Sequence, residues 1–491
     1  MGWIAQKSAA YLGPHNWPCH ALVAWNEDGA MIPRVLRAVP PLLVLAACTR
    51  AASPPAPRVN DAAPSEPVTV TVTEPVVSDA GPPKPQWLEA EGNDDDEDPG
   101  TGHVPAEAQW EKVGTPPLAL TRICDLTPFH GTLYAAHANQ PLGTDGATVT
   151  AYHPDTGRFG VAFDWNRPGE PTKGGGAGQG FVRVHAIGGR LYVPDADPPY
   201  GGLQQVDWGA EGYVFVSDAS GKFAPPRAPH FRPPAVPSLD AGTPGAAVLP
   251  HAYHVLDAIR FRGALYASTG SVPPKEPAWN GPSPGALHRA NDDGSRWIYD
   301  FDYPNPYRNG VWRLTYMVRF HDRLYAGIQD YDGRDPNDFI VFDPPREATA
   351  ITREDAHPTR ITEHGASGTL RWWVDTRVTP SRLYWLAWTH EGFALRFTTD
   401  GDTWSLVDVP AEAGRPTDIT RWRDAVVVLT ERGLYRLDGT TLAPIALVDT
   451  SAKKKSPFEL SDFLCTAPLA VMDGVLYAGG QRGGTLYRVA E

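Results

Sequence analysis

Phe261–Gly270 reads FRGALYASTG: an apolar residue, an Arg-Gly pair, then a short strand with Leu265-Tyr266 near its start. Gly in a two-residue link between alternating apolar runs supplies the positive φ of a hairpin turn. The phrase returns as FHDRLYAGIQ and MDGVLYAGGQ, and in seven copies overall, anchored at Tyr134, Tyr192, Tyr266, Tyr325, Tyr384, Val427 and Tyr477. The anchors stand 58, 74, 59, 59, 43 and 50 residues apart. Those steps lie at or above the roughly 40–50-residue period of propeller blades, with the excess left for loops.

Further strands follow each hairpin: GYVFVSD, GALHRAND, DFIVFD, FALRFTTD, RGLYRLDG and GTLYRVAE, most leading to a fourth such as TWSLVDVP. Four short antiparallel strands per unit make a blade. The seventh copy ends at GTLYRVAE, one strand short, while QWEKVGTPP (Gln109–Pro117) precedes the first copy and mirrors DTWSLVDVP in its Trp and closing Pro. The expectation is an all-β, seven-bladed propeller of four-stranded antiparallel blades, closed by this N-terminal strand, which would remove an exposed edge. A β-sandwich array is the alternative. The longest step holds the Pro-rich stretch FAPPRAPHFRPPAVPSLDAGTPGAAVLP, which reads as an insertion with no strand of its own.

Composition agrees with many short strands. Gly (48) and Pro (51) make up about a fifth of the 491 residues, and 16 Trp and 18 Tyr supply aromatic strand residues. A net charge of −14 leaves no basic stripe for phosphates and argues against a nucleic-acid partner.

Upstream of the repeats the character changes. MIPRVLRAVPPLLVLAAC carries Arg34 and Arg37, an apolar run from Ala38 to Ala47, then Cys48. A charged start, a short apolar run and small residues describe an export signal, too short to span a bilayer. Leu45-Ala46-Ala47-Cys48 resembles the bacterial lipobox, whose cysteine receives lipid and becomes the new N-terminus. The resemblance implies a lipid-anchored bacterial lipoprotein of the cell envelope, on the outer membrane, with the membrane itself as a partner; an ordinary secretory signal is the alternative. The reading divides the chain into 1–30, a start extension upstream of Met31; 31–47, the signal; 48–107, a disordered Pro/Ala-rich and acidic tether including Asn93–Asp98; and 108–491, the propeller.

Two hairpins carry a second resemblance. ANDDGSRW and TTDGDTW are similar to the Asp-box of sialidase-type and kelch-like propellers at Asp292, Gly294, Trp297 and at Asp400, Gly401, Trp404. In that pattern the Asp accepts turn amides, the Gly takes positive φ and the Trp packs between strands. The first has Ala290 and Arg296 where the family has Ser and Thr, and no Arg-Ile-Pro segment occurs, so sialidase activity is not implied.

Cys124 and Cys465 lie ten and twelve residues before their anchors, at similar places in the first and last copies. A closed ring makes these segments neighbours, and an oxidising compartment favours a bridge; two buried thiols are the alternative. No HExxH, Cys-x-x-Cys, Gly-x-Ser-x-Gly or Walker loop is present, and no cofactor is implied. The candidate ligand group is Asp195 and Asp197, with His251, His254 and Asp257, where loops gather at a propeller mouth and could hold a cation or a sugar. Capping of strand ends is the bland alternative. The acidic loop Asp330–Asp338 has its Gly misplaced for an EF-hand and reads as a solvated hairpin. The functional expectation is a binding or scaffold module with a protein or glycan on the propeller face; the alternative is a carbohydrate-active hydrolase or lyase at its mouth.

Overall fold

The computed structural model describes residues 91–92, 98–138, 146–165, 180–196, 211–225, 234–237, 242–271, 284–291, 295–303, 312–330, 335–389, 392–450, 455–460 and 464–490. The chain divides into Met1–Pro83 and Lys84–Glu491, and every described residue belongs to the second part.

The strands are β1 Gln109–Gly114; β2 Arg122–Phe129, β3 Thr132–Ala138, β4 Thr148–His153 and β5 Arg158–Asp164 (sheet I); and β6 His185–Ile187, β7 Arg190–Pro194, β8 Glu211–Val216 and β9 Gly245–Pro250 (sheet II). Sheet III holds β10 Ala252–Phe261, β11 Ala264–Ser271, β12 Gly285–Ala290 and β13 Trp297–Tyr303. Next come β14 Trp312–Phe320, β15 Arg323–Asp330, β16 Phe339–Phe342 and β17 Ala356–Thr359 (IV), and β18 Ala366–Asp375, β19 Arg382–Thr389, β20 Gly392–Thr398 and β21 Ser405–Leu406 (V). Sheet VI is β22 Pro416–Trp422, β23 Ala425–Thr430, β24 Gly433–Asp438 and β25 Thr441–Leu447; β26 Leu469–Met472, β27 Val475–Gly479 and β28 Leu486–Ala490 belong to VII.

Every ladder between these strands is antiparallel. IV and V form one eight-stranded sheet joined by Gln329 opposite Gly368; the others are four-stranded. In sheet VII the order is β1-β28-β27-β26, and β1 runs beside β28 with Gln109 opposite Ala490.

The turns between the first and second strands explain the recurring phrase. His130-Gly131, Gly188-Gly189, Arg262-Gly263, His321-Asp322 and Asp473-Gly474 all have positive φ at both residues, which matches the twist of the flanking strands. The Leu-Tyr strands β3, β7 and β15 are buried almost throughout, whereas the fourth strands β5 and β17 are mostly half-buried or exposed. Sheets therefore pack face to face around an axis, as a β-propeller. One apolar cluster joins Phe129 and Val149 to Leu191 and Phe215; others join Val216 to Val255, and Ile259 to Ile340. Leu386 shares a cluster with Val428, Val427 with Val471, and Leu133 with Met472.

The repeated tyrosine joins neighbouring sheets. The amide of Ile351 in sheet IV donates to the Tyr266 hydroxyl of sheet III at 3.0 Å. Gly401 of sheet V sits so close over the Tyr325 hydroxyl that a Cβ there would collide with it, and Gly221 lies likewise over Tyr134. Burial pushes the Tyr266 and Tyr325 phenols up to about 12, so both stay neutral.

Three expectations are corrected. The Pro-rich insertion does supply a strand, since its last six residues are β9, the outer strand of sheet II. The acidic loop is not a solvated hairpin: Asp330, Asp335 and Asp338 are buried. Asp338 accepts the amides of Ile361 and Thr362 at 2.6 and 2.7 Å, and Asp335 accepts the Trp312 indole N–H at 2.7 Å. These carboxylates exchange water for fixed donors, and burial still pushes the Asp338 carboxyl up. Finally, part of the stretch expected as tether, 91–92 and 99–104, is bonded to the sheets, as when the Arg423 amide donates to Pro99 O at 2.7 Å.

Candidate functional site at the axis

The first strand of each sheet lines the axis. Several carry a bulge: the register shifts between Ile123 and Asp125, Val255 and Asp257, Thr369 and Arg371, and Pro416 and Asp418. A bulge re-aims the side chains that follow it. Asp125, Asp257, Arg371 and Asp418 stand just past these shifts, and Arg183 and Tyr316 hold related places before β6 and in β14. All six side chains are buried.

Burying charge is costly unless it is paired and hydrogen-bonded, and here each carboxylate is. Asp125 accepts Arg183 Nη1 at 3.2 Å, Arg371 Nη1 at 3.3 Å and the Val184 amide at 3.1 Å. Asp257 accepts the amides of Met317 (2.6 Å) and Ala258 (3.0 Å) and pairs with His185 Nε2 at 2.6 Å. Asp418 accepts the amides of Leu469 (2.7 Å) and Ile419 (2.8 Å). Arg371 Nε lies 3.4 Å from Asp418, near enough for ion pairing but without hydrogen-bond geometry. Burial pushes the Asp418 carboxyl up to about 7; the two amides and Arg183 oppose that rise, and Asp125 adds to it.

A cavity of about 190 Å³ adjoins this cluster, lined by Asp125, Arg183, Arg371, Trp372 and Asp418 and reaching Glu91, Gly92 and Pro99. At the other end the Arg183 guanidinium lies 3.9 Å above the Tyr316 ring, and the Tyr316 hydroxyl donates to Leu464 O at 2.5 Å. Beside them Cys124 and Cys465 are bonded, with Cα atoms 4.5 Å apart, as expected from their matching places in the first and last copies. The Nε–H groups of Arg183 and Arg371 are buried with no hydrogen-bond acceptor.

The described members of the candidate mouth group are split over three places. His254 spans sheets II to IV, with Nδ1–H donating to Ala196 O at 2.9 Å and Nε2 accepting Arg313 Nη2 at 2.8 Å. Asp195 lies on the same seam, its carbonyl accepting the Val255 amide at 2.9 Å. Of the described members, Asp257 is the one bonded to His185 and to the Met317 amide. His251 occupies the turn before β10 at φ 63° and faces the Tyr299 ring, away from the others. Asp197 lies outside the described residues. Among those residues, no three His, Cys, Asp or Glu side chains group to hold a metal ion.

Of the two Asp-box-like hairpins, Asp292 and Gly294 lie outside the described residues, and Trp297 is buried. In the second, Asp400 Oδ1 accepts the amides of Asp402 (2.9 Å) and Thr403 (2.7 Å), which hold its carboxyl well below the usual range. Gly401 has φ 83°, and Trp404 packs against Phe339 of sheet IV at 5.5 Å. The hairpin joins β20 to β21, the third and fourth strands of sheet V. Asp125, Arg183, His185, Tyr316, Arg371 and Asp418 went unread in the sequence. A signal was present: Asp125, Asp257 and Asp418 each stand four residues before the closing aromatic of their strand, Phe129, Phe261 and Trp422.

No protein-family model matches the chain, and no curated protein matches it. Among solved structures it is similar to virginiamycin B lyase from Staphylococcus aureus (9% identity, TM-score 0.45, 78% of this chain and 100% of that one). It is also similar to a polysaccharide lyase (10%, 0.42, 82% and 99%) and to an α-L-arabinanase from Penicillium chrysogenum (9%, 0.34, 79% and 99%). Identity at this level carries over neither residues nor activity.

Proposed function

We propose that the chain is an exported, lipid-anchored propeller that binds an oxygen-rich ligand at its axial cavity, at the bacterial cell envelope. The observation that carries this reading is the cavity's lining by two buried guanidinium groups, on Arg183 and Arg371, beside Asp125 and Asp418. Guanidinium groups donate in a fixed fork that suits ligand oxygens. The carboxylates there are occupied by amides and guanidinium groups, which favours holding a ligand over moving its protons. A glycan and acidic-peptide array probed with the parent and with Arg183→Lys tests it: binding weakened by the variant supports the reading, and an array on which the parent binds nothing rejects it.

The architecture within this proposal is a ring of seven blades with β1 as closing strand. It is supported by the β1–β28 ladder and by the apolar cluster that holds both Leu133 and Met472. Deleting Gln109–Gly114 should lower the melting temperature sharply, whereas deleting residues 50–80 should leave it nearly unchanged; equal effects would reject closure. The anchor rests on the lipobox-like segment. Cys48→Ala, expressed in a bacterial host, should no longer fractionate with membranes.

One observation favours the second reading, a carbohydrate-active enzyme. Asp418, beside the cavity, has its carboxyl raised toward neutrality as a general acid requires. Turnover of any polysaccharide in a panel, abolished by Asp418→Asn, would establish it; no turnover would end it.

A further inference from the structure

Sheets V and VI meet at a second pocket, of about 540 Å³, within the size range of small-molecule sites. Arg382, Arg421 and Arg436 line it together with Asp375, Asp424 and Asp438. In the β18–β19 ladder Arg382 stands directly opposite Asp375, the register at which opposite charges ordinarily pair. Asp375 instead gives both oxygens to Arg421 of the neighbouring sheet, accepting Nε at 2.9 Å and Nη2 at 2.5 Å. Asp438 accepts Nε and Nη2 of Arg436 at 2.8 and 2.9 Å. Asp424 accepts the Val104 amide at 2.9 Å and pairs with His103 Nδ1 at 2.5 Å. Arg382 is the cation left over: among the described residues no carboxylate pairs with it. Its guanidinium is nevertheless fixed, lying 4.6 Å over the Phe397 ring and donating from Nη1 to the Tyr384 hydroxyl at 3.2 Å. Burial pushes that phenol up, so it stays neutral and accepts without compensating the charge. Nη2 finds no acceptor among the described residues.

We propose that this pocket binds a small organic molecule carrying one carboxylate, held by Nη2 of Arg382. A guanidinium already oriented by its packing loses little freedom on meeting a carboxylate, and its planar fork suits that group. One uncompensated cation matches one negative charge. The aspartates around the pocket, paired as they are, disfavour a second. Val378, Val426 and Leu437 also line the pocket and give the body of such a molecule an apolar wall. Asp375 and Arg421 belong to the lining of the axial cavity as well. The inference nonetheless stands on Arg382, which the axial cavity does not include, and does not depend on an axial ligand.

The test uses the full chain and the arginine reagent phenylglyoxal, with labelled positions found by peptide mapping. Benzoate is the probe. The comparisons are benzamide, which has the same shape without the charge, inorganic phosphate, and chloride at matched ionic strength. With benzoate at about ten times its dissociation constant, labelling of Arg382 should slow about tenfold. Labelling of Arg158, exposed on β5 of sheet I, should not change. Equal protection by benzamide would show that the charge is not read, and stronger protection by phosphate that a carboxylate is not selected. Equal protection of Arg158 would show general screening. No protection, or an Arg382 that the reagent cannot reach in chloride, would show that the pocket admits no such molecule. Each of these results overturns the inference. Protection should persist in Arg183→Lys. Its loss there would place the probe in the axial cavity and overturn the inference, whereas its persistence holds even if the axial reading fails.

Discussion

The amide of Met317 donates across the seam between two sheets to the carboxylate of Asp257, 2.6 Å away. Asp125 does the same for Val184, and Asp418 for Leu469. Replacing Asp257 by Ala would leave that amide and the His185 N–H buried without an acceptor, a loss of roughly 2–4 kcal/mol in chemical denaturation. Asp438→Ala, which removes an exposed pair with Arg436, should leave the denaturation midpoint nearly unchanged. Equal effects would mean that the seam carboxylate is dispensable.

Two histidines set an acid limit. Burial pushes His137 and His288 down to about 4, and each ring is engaged as a neutral donor and acceptor. His137 Nδ1–H donates to Arg122 O at 2.9 Å while Nε2 accepts from the Thr150 hydroxyl at 2.7 Å. An unfolded histidine titrates near 6.5, so below that pH the unfolded chain takes up protons that the folded one refuses. Stability from these groups is therefore full above about 6.5 and is lost as pH falls toward about 4, on the order of 3 kcal/mol per residue. Asp418 acts in the opposite sense: its raised carboxyl costs stability as pH rises from the ordinary Asp value toward about 7. The clean measurement is thus the difference between parent and His137→Gln as a function of pH. That difference should shrink between pH 6.5 and 4, and a flat difference would refute a neutral buried His137.

Gly401→Ala should be markedly worse than Gly439→Ala. Both positions have positive φ, 83° and 65°, which costs a side chain about 1 kcal/mol. Only at Gly401 would the new methyl also meet a neighbouring sheet, at the Tyr325 hydroxyl; Gly439 opens to space. Parallel thermal melts of the two variants decide it, and comparable losses would refute the contact.

Reduction should weaken the domain. The Cys124–Cys465 bond closes a loop across 341 residues, which in the simple loop model constrains the unfolded chain by about 5 kcal/mol. The denaturation midpoint should fall with reductant in the parent and become insensitive to it in the double Cys→Ala variant. A parent midpoint unchanged by reductant would contradict the bond's contribution.

The hairpins were legible because a two-residue turn with positive φ leaves a local trace, as at Arg262-Gly263. Cys124 and Cys465 were legible because equivalent offsets from a repeated anchor become proximity once sheets pack radially. The axial charges were not. A bulge breaks the period-two alternation just before Asp125, Asp257, Arg371 and Asp418, so a strand read by strict alternation misplaces them. His251 and His254 stand three residues apart in sequence, yet His251 sits at positive φ in the turn before the strand and faces Tyr299. Asp338 escaped notice because its donors, Ile361 and Thr362, lie over twenty residues downstream.

The β1–β28 ladder also sets a timetable. Sheets I to VI are each built from strands contiguous in the chain, so each can assemble soon after it is synthesised. Sheet VII cannot: Glu111 is made early, and its partner Arg488, 377 residues later, is among the last to emerge. Throughout synthesis, β1 waits with both backbone edges unsatisfied, open to pairing with any other unfinished copy nearby. Crowded or slowed production should therefore yield oligomers exchanged through this strand before any other part of the molecule misassembles.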